Sequence, residues 1–372
     1  MDLNKKNIEN LLSEITFSEN DEKLLKNNSL INIQIFGSEV IIDLEITNPT
    51  LQYKKKVENL FIKSLQKTFN LDISCKINFI IKKVEQDNKI KGNPIPGVKN
   101  IIAVSSGKGG VGKSTISANL AVALSKLHYK VGLIDADIYG PSMPIMFDLV
   151  GEAPKAVEVE GKKKMRPLEN YNVKMVSMGF FTELNTAIVW RGPMASKALN
   201  QLIWDSHWGE LDFLIVDLPP GTGDIHLSLV QAIPLTGAIV VSTPQDIALA
   251  DARKGVNMFQ MDSIDVPVIG IVENMSYFTP EELPNNKYYI FGKDGAKNLA
   301  EQLGIDLLAQ IPIVQSLREA SDAGRPAVLQ EDSSISNSFV NFAKEVVKSV
   351  DKRNSNLPST EAVKITNMKG CS

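Results

Sequence analysis

Apolar and polar positions follow two different rhythms along this 372-residue chain. From Asn100 onward, short apolar runs are punctuated by polar or glycine-rich segments: Ile101–Val104, Lys130–Asp135, Phe213–Asp217, Ala238–Ser242 and Val266–Val272. Runs this short and this continuously apolar predict strands buried on both faces. Helix-like stretches separate them, at Ser117–Leu127, from Trp190 to about Trp204, from about Ala248 to Gln260, and at Ser338–Val350. In the last of these, Phe339, Phe342, Ala343, Val346, Val347 and Val350 form one core-facing stripe. The alternation predicts an α/β domain over residues 100–352, a mostly parallel sheet covered by helices on both faces.

Residues 1–86 predict a separate small α+β domain. Asn7–Leu12 reads as a short helix, Leu30–Phe36 and Val40–Ile46 as strands turned at Gly37-Ser38, and Ile73–Val84 as a final strand. Tyr53–Phe69 reads as a helix, with Val57, Leu60, Phe61, Leu65 and Phe69 on one stripe. Residues 87–99, polar and rich in Gly and Pro, predict a linker, and residues 353–372 a flexible polar tail containing Cys371. Within the α/β domain, Gly151–Asn170 alternates around Gly161 and reads as a surface hairpin whose lysine run is a solvated face.

Composition narrows the function. Hydrophobic content of 43% with 22% charged residues is ordinary for a soluble globular protein. A formal net charge of −3 gives no electrostatic reason to expect nucleic acid or an anionic membrane as a partner. No stretch approaches the ~18 apolar residues of a membrane span, and the first 17 residues lack a signal-peptide core. The Ser338–Val350 stripe has no dense basic face, which favours core packing over membrane docking. Two cysteines, Cys75 and Cys371, make no disulfide framework. The expectation is a cytoplasmic protein.

The chemistry centres on Gly107–Thr115, GKGGVGKST. Gly107, Gly112, Lys113 and Ser114 fit the spacing of a phosphate-binding loop, and the stretch joins a predicted strand to a predicted helix. Glycines at 107, 109, 110 and 112 let the backbone N–H groups, Val111 among them, turn inward around a polyphosphate. The helix N-terminus adds its positive end. Lys113 is expected to reach the β- and γ-phosphates of ATP, and the Ser114 hydroxyl to ligate Mg²⁺. Phe213–Asp217 reads as a buried strand expected to deliver the Asp217 carboxylate to the magnesium shell, with Gly221 and Asp224 following as candidate switch residues and Gly221 expected to place its N–H near the γ-phosphate. Asp135 and Asp137 sit at a strand's carboxyl end, on the ligand side of such a sheet.

Five motifs in order, GKGGVGKS, DADIYGPS, WRGPM, DLPPGTGD and ENMSYF, resemble the Mrp (ApbC) group of iron–sulfur carrier ATPases over about residues 95–350. KGGVGKS also resembles the deviant phosphate loop shared with nitrogenase iron protein and MinD/ParA. The resemblance implies a nucleotide-sandwich homodimer in which Lys108 reaches the nucleotide of the other subunit. It implies that Asp137 orients the attacking water, that Asp135 supports Mg²⁺, and that Asn274 hydrogen-bonds adenine, with Ile311-Pro312 as the other wall of the base pocket. It leaves Arg191 open between a nucleotide or dimer contact and a structural role. The order of elements in residues 1–86 resembles, loosely, the small iron–sulfur-assembly domain often fused in front of such ATPases.

The chain departs from that group at the cluster ligands. Many relatives have a Cys-x-x-Cys shortly after ENMSYF, but Thr279–Tyr289 contains no cysteine. Cys75 falls in a predicted strand and reads as a buried structural thiol. Cys371 remains as a candidate cluster ligand or an incidental surface cysteine, two readings the sequence leaves open. His128, His207 and His226 show no ligand spacing with either cysteine. Two functions follow. One is an ATPase that carries iron–sulfur clusters to apoproteins, with assembly factors as partners. The alternative is a MinD/ParA-like ATP-switched scaffold without a cluster.

Overall fold

The computed structural model describes residues 3–17, 22–23, 29–37, 39–46, 51–69, 73–81, 95–138, 140–181, 192–221, 223, 226, 230, 233–262, 264–280, 282–283 and 285–358. The chain divides into two compact units, Met1–Asp87 and Asn88–Ser372.

In the first unit, α1 (Lys5–Glu14) begins two residues before the expected Asn7, because the Asn4 side chain accepts the Asn7 N–H at 2.9 Å and caps it. A two-residue ladder, β1 (Thr16–Phe17) with β2 (Glu22–Lys23), follows; nothing in the apolar pattern announces it. β3 (Ser29–Phe36) and β4 (Glu39–Ile46) pair antiparallel around Gly37. α2 (Leu51–Phe69) then crosses over to β5 (Ser74–Ile81), which pairs parallel to β4. The α2 stripe Val57, Phe61, Leu65 and Phe69 is buried with Val40, Ile42 and Leu44. Cys75 lies in β5, half-buried against this core.

The second unit is built on a sheet of eight described strands. They are β6 (Val98–Ser106), β7 (Val131–Asp135), β10 (Leu168–Asn170), β11 (Val173–Ser177), β12 (Leu211–Asp217), β13 (Gly237–Ser242), β14 (Val268–Phe278) and β15 (Leu307–Ile313). The spatial order is β10-β11-β7-β12-β6-β13-β14-β15, with β10 antiparallel at one edge and every other pair parallel. A separate antiparallel hairpin, β8 (Lys155–Val159) with β9 (Lys162–Arg166), occupies the span expected as a surface hairpin. One of its lysines is half-buried: Lys164 Nζ donates to the Trp204 carbonyl at 2.6 Å.

The described helices are α3 (Lys113–Lys126), α4 (Met143–Met146), α5 (Gly192–Trp204), α6 (Asp246–Phe259), α7 (Gly295–Leu303), α8 (Gln315–Asp322) and α9 (Ser334–Asn356). Side chains alternate across each strand and feed two cores. Ile102, Val104, Leu133, Ile215, Ile239 and Val241 pack under α3 and α9. Ala103, Ile134, Leu214, Val216 and Val240 face the other way, toward Leu199 of α5 and Val256 and Phe259 of α6. Both faces being covered is why the strands read as unbroken apolar runs.

Several boundaries move from their expected places; β14 runs on to Phe278 and α9 begins at Ser334. β6 starts at Val98, inside the expected linker, because Val98 already pairs with Leu211. α3 starts at Lys113 rather than Ser117. α9 runs to Asn356, into the expected tail, where Asn354 Nδ2 donates to Asn100 Oδ1 at 2.9 Å and pins the helix end to β6. Cys371 lies outside the described residues, as do Arg191 and Asp224. Among the described residues no helix is long and apolar enough to cross a membrane.

Candidate functional site

The loop Gly107–Gly112 joins the inner strand β6 to α3 at the carboxyl end of the sheet, the side on which open α/β sheets bind ligands. Two of its glycines are dictated by their neighbours. A Cβ on Gly107 would collide with the backbone of Asp251 in α6. Gly112 has φ 81°, and a Cβ there would strike the amide of Asn274. Ser106 Oγ donates to the Lys108 carbonyl at 2.9 Å and sets the start of the loop. Gly112 offers α3 no side-chain cap, so backbone donors at its N-terminus remain for an anion. Lys108 is half-buried, and Gly109 and Gly110 are exposed. The Val111 side chain is buried in the core, and its carbonyl accepts the Asn274 amide. Thr115 lies in the first turn of α3, and its carbonyl accepts the Asn119 side-chain amide.

Lys113 opens α3 and Asp217 ends β12, and the two meet. Lys113 Nζ lies 2.8 Å from Asp217 Oδ2, with the lysine 6% exposed and the aspartate fully buried. Ser114 Oγ donates to the same oxygen at 2.7 Å, and Ser117 Oγ donates to Oδ1 at 2.6 Å. Expected on phosphate, Lys113 thus rests on the carboxylate that sequence reasoning assigned to the metal. Ser114 and Asp217 are hard oxygen donors one hydrogen bond apart, the chemistry that Mg²⁺ takes.

Asp135, at the end of β7, pairs in register with Asp217. Its Oδ2 accepts from Ser177 Oγ at 2.9 Å and from the Met143 N–H at 3.2 Å, and its Oδ1 accepts from the Asp137 N–H. Burial first, then the Asp217 charge, push its carboxyl up to about 7. Asp137 is half-buried and accepts the Gly140 N–H at 3.3 Å.

Asn274, near the end of β14, reaches the phosphate loop: its Nδ2 donates to the Val111 carbonyl at 2.8 Å. The register sets Asn274 beside Ile311 of β15, and Ser276 Oγ donates to the Ile311 carbonyl. Before it, buried Glu273 accepts the Ala296 N–H and the Gln310 amide, tying β14 to α7 and β15. On the switch side, the Gly221 N–H donates to the Ser106 carbonyl at 2.9 Å, at the root of the loop.

The structure therefore gathers Gly107–Ser114, Asp135, Asp137, Asp217, Gly221 and Asn274 on one side of the sheet. It adds Ser117, Ser177 and the buried pair Ser105–His226, which sequence reasoning missed; serine in an apolar helix or strand gives no spacing signal. Among the described residues no group of three or more His, Cys, Asp or Glu is arranged to hold a metal.

Comparison with known proteins bears on the family and the fold. The family model for the NUBPL iron-transfer P-loop NTPases (ParA) matches residues 97–347. An iron-sulfur cluster carrier protein of Aquifex aeolicus is 50% identical over 262 residues, 70% of this chain and 70% of that protein. One from Synechocystis is 39% identical over 333 residues, 89% of this chain and 94% of its own length. The iron-sulfur cluster transfer protein NUBPL of Dictyostelium discoideum is 49% identical over 259 residues, 69% of this chain and 78% of that protein. Among solved structures, a nucleotide-binding protein from Archaeoglobus fulgidus in complex with ADP superposes with a TM-score of 0.56 at 36% identity, over 65% of this chain and 93% of that one.

Proposed function

Since this chain belongs to the NUBPL iron-transfer family of P-loop NTPases, we propose that it is an ATP-hydrolysing homodimer that carries iron–sulfur clusters to client apoproteins in the cytoplasm. The observation that carries the nucleotide half is Asp217, held at once by Lys113, Ser114 and Ser117 at the root of the phosphate loop. In the proposed cycle ATP lies along Gly107–Thr115. Lys113, and Lys108 from a second protomer, stabilise charge on the transferring phosphoryl group. Ser114, Asp217 and Asp135 hold magnesium, which neutralises phosphate charge when bound. Asp137 orients water, Asn274 receives adenine, and Gly221 and Asp224 relay the state of the γ-phosphate to the dimer.

The cluster is the cargo. The names of the curated relatives support that half over a cluster-free positioning switch. Iron needs soft ligands, and in the proposal two copies of Cys371 supply two thiolates while a client, an assembly factor or, in reconstitution, an added small thiol supplies the rest. Anaerobic reconstitution with iron and sulfide tests it. Wild type and Cys75→Ala should hold iron and acid-labile sulfide in equal amounts per dimer, with a matching visible spectrum, and Cys371→Ala should hold none. Equal loading in all three would remove Cys371 from the proposal. No iron in any version would refute cargo binding by the isolated chain.

A further inference from the structure

Three hydrogen bonds fasten the stretch after Asp217 to the end of β6. The Leu218 N–H donates to the Val104 carbonyl at 3.0 Å, and the Gly221 N–H to the Ser106 carbonyl at 2.9 Å. The third joins side chains: His226 Nε2 lies 3.1 Å from Ser105 Oγ, with both residues at 1% exposure or less. The ring stands edge-on to Phe259 of α6, centroids 6.1 Å apart, and its Nδ1 is buried with no hydrogen-bond partner among the described residues. A buried polar atom without a partner is a standing cost. An apolar side chain of similar size would remove that cost and keep the packing, so the imidazole has to be explained by its other nitrogen. Burial, with the Lys113 charge nearby, holds the ring neutral, its pKa down at about 4. The neutral ring and the Ser105 hydroxyl share one hydrogen bond, donated by Nε2–H or by Oγ–H according to the tautomer, and it joins the same two side chains either way.

Ser105 is fully buried, immediately before Ser106 and Gly107, so His226 meets the strand that leads into the loop and acts on the loop through it. We infer that His226 is a positioning residue for phosphoryl transfer: through Ser105 it latches the switch stretch to the root of the phosphate loop, so that Gly221 and Asp217 meet the nucleotide in one fixed register with Lys113 and Ser114. The inference rests on the proposed ATPase reading for its consequence, but the latch itself is measurable without nucleotide.

The experiment has two parts, both on the full chain. Amide hydrogen exchange without nucleotide reads the latch. His226→Leu and Ser105→Ala should each speed exchange at Leu218 and Gly221 by about tenfold or more. His226→Gln, whose side-chain amide reaches the Nε2 position, should restore near wild-type protection. Unchanged exchange in both disruptive variants overturns the inference, whatever the hydrolysis rate. ATP turnover reads the consequence: His226→Leu should lower kcat by about tenfold with KM within about twofold, and His226→Gln should recover it. An unchanged kcat, or a loss confined to KM, also overturns it. Should His226→Leu fail to fold, Ser105→Ala makes the same comparison with one oxygen removed. Wild-type turnover no higher than that of Lys113→Ala would instead refute the ATPase reading, and the exchange result would still decide the latch.

Discussion

Lys113 and Asp217 form a buried ion pair, Nζ to Oδ2 at 2.8 Å, that ties the first residue of α3 to the last residue of β12. The pair is asymmetric. Asp217 also accepts the Ser114 and Ser117 hydroxyls, so it keeps two donors when the lysine is removed. Removal of the aspartate leaves a buried ammonium with only the Ser114 hydroxyl at 3.3 Å, while the Ser117 hydroxyl keeps the Lys113 carbonyl at 3.1 Å. Asp217→Ala should therefore destabilise the nucleotide-free protein by about 3–5 kcal/mol, and Lys113→Ala by less, while both abolish ATP turnover. Urea unfolding of the two variants without nucleotide checks the order; equal losses would mean that the serine hydroxyls contribute nothing to holding the carboxylate.

Asn274 supports a second expectation. Its amide props the loop at the Val111 carbonyl and lies where a Cβ of residue 112 would be. Asn274→Ala removes that prop, so affinity for both ATP and GTP should fall, by about tenfold for a lost buried hydrogen bond and a loosened loop. Calorimetric titration with each nucleotide checks this. A fall for ATP alone would mean that the contact of Asn274 with adenine outweighs its prop on the loop.

Different parts of this architecture left unequal traces in the sequence. Ile101–Val104 and Phe213–Val216 were legible as central strands because burial on both faces removes the polar half of the strand rhythm. The loop was legible because its chemistry is packed into consecutive residues, Gly107–Ser114. Its supports were not. Ser177 on Asp135, Ser117 on Asp217 and His226 on Ser105 join residues far apart in the chain, and one serine or histidine has no spacing to read. The start of α3 was missed because Lys113–Thr115 are polar, and the end of α9 because Asp351–Asn356 are polar although Asn354 is anchored on Asn100.

Cys75 can be tested as a thiol in its own right. Burial pushes it up to about 11, and Glu58 adds to the rise. At pH 8 its thiolate fraction is on the order of a hundredfold below that of an unfolded cysteine. In a Cys371→Ser background, iodoacetamide should accordingly modify the folded chain about a hundredfold more slowly than the urea-unfolded one. Comparable rates would mean that β5 does not shield the thiol, and would return Cys75 to consideration as an iron ligand.

The last expectation concerns pH, where two buried groups oppose each other. Asp135 rises from 3.8 to about 7 on folding, for burial first and the Asp217 charge second. The folded state thus holds this proton more tightly, and stability falls as pH rises from about 4 to 7. His226 drops from 6.5 to about 4, chiefly by burial. The folded state holds that proton less tightly, so stability rises with pH between about 4 and 6.5. Each slope is about 1.4 kcal/mol per pH unit at most, and the signs are opposite, so the wild type should be nearly flat with respect to these two groups. Removing one should expose the other. Relative to wild type, Asp135→Asn should gain about 2–3 kcal/mol between pH 4.5 and 6.5, and His226→Gln should lose a similar amount over the same range. Urea unfolding in magnesium-free buffer at three pH values measures both, and differences from wild type remove the titration of the exposed carboxylates common to all three proteins. Parallel curves for the two variants and the wild type would mean that neither group changes its proton affinity on folding. The neutral imidazole on Ser105 and the raised carboxyl beside Asp217 would then both be wrong.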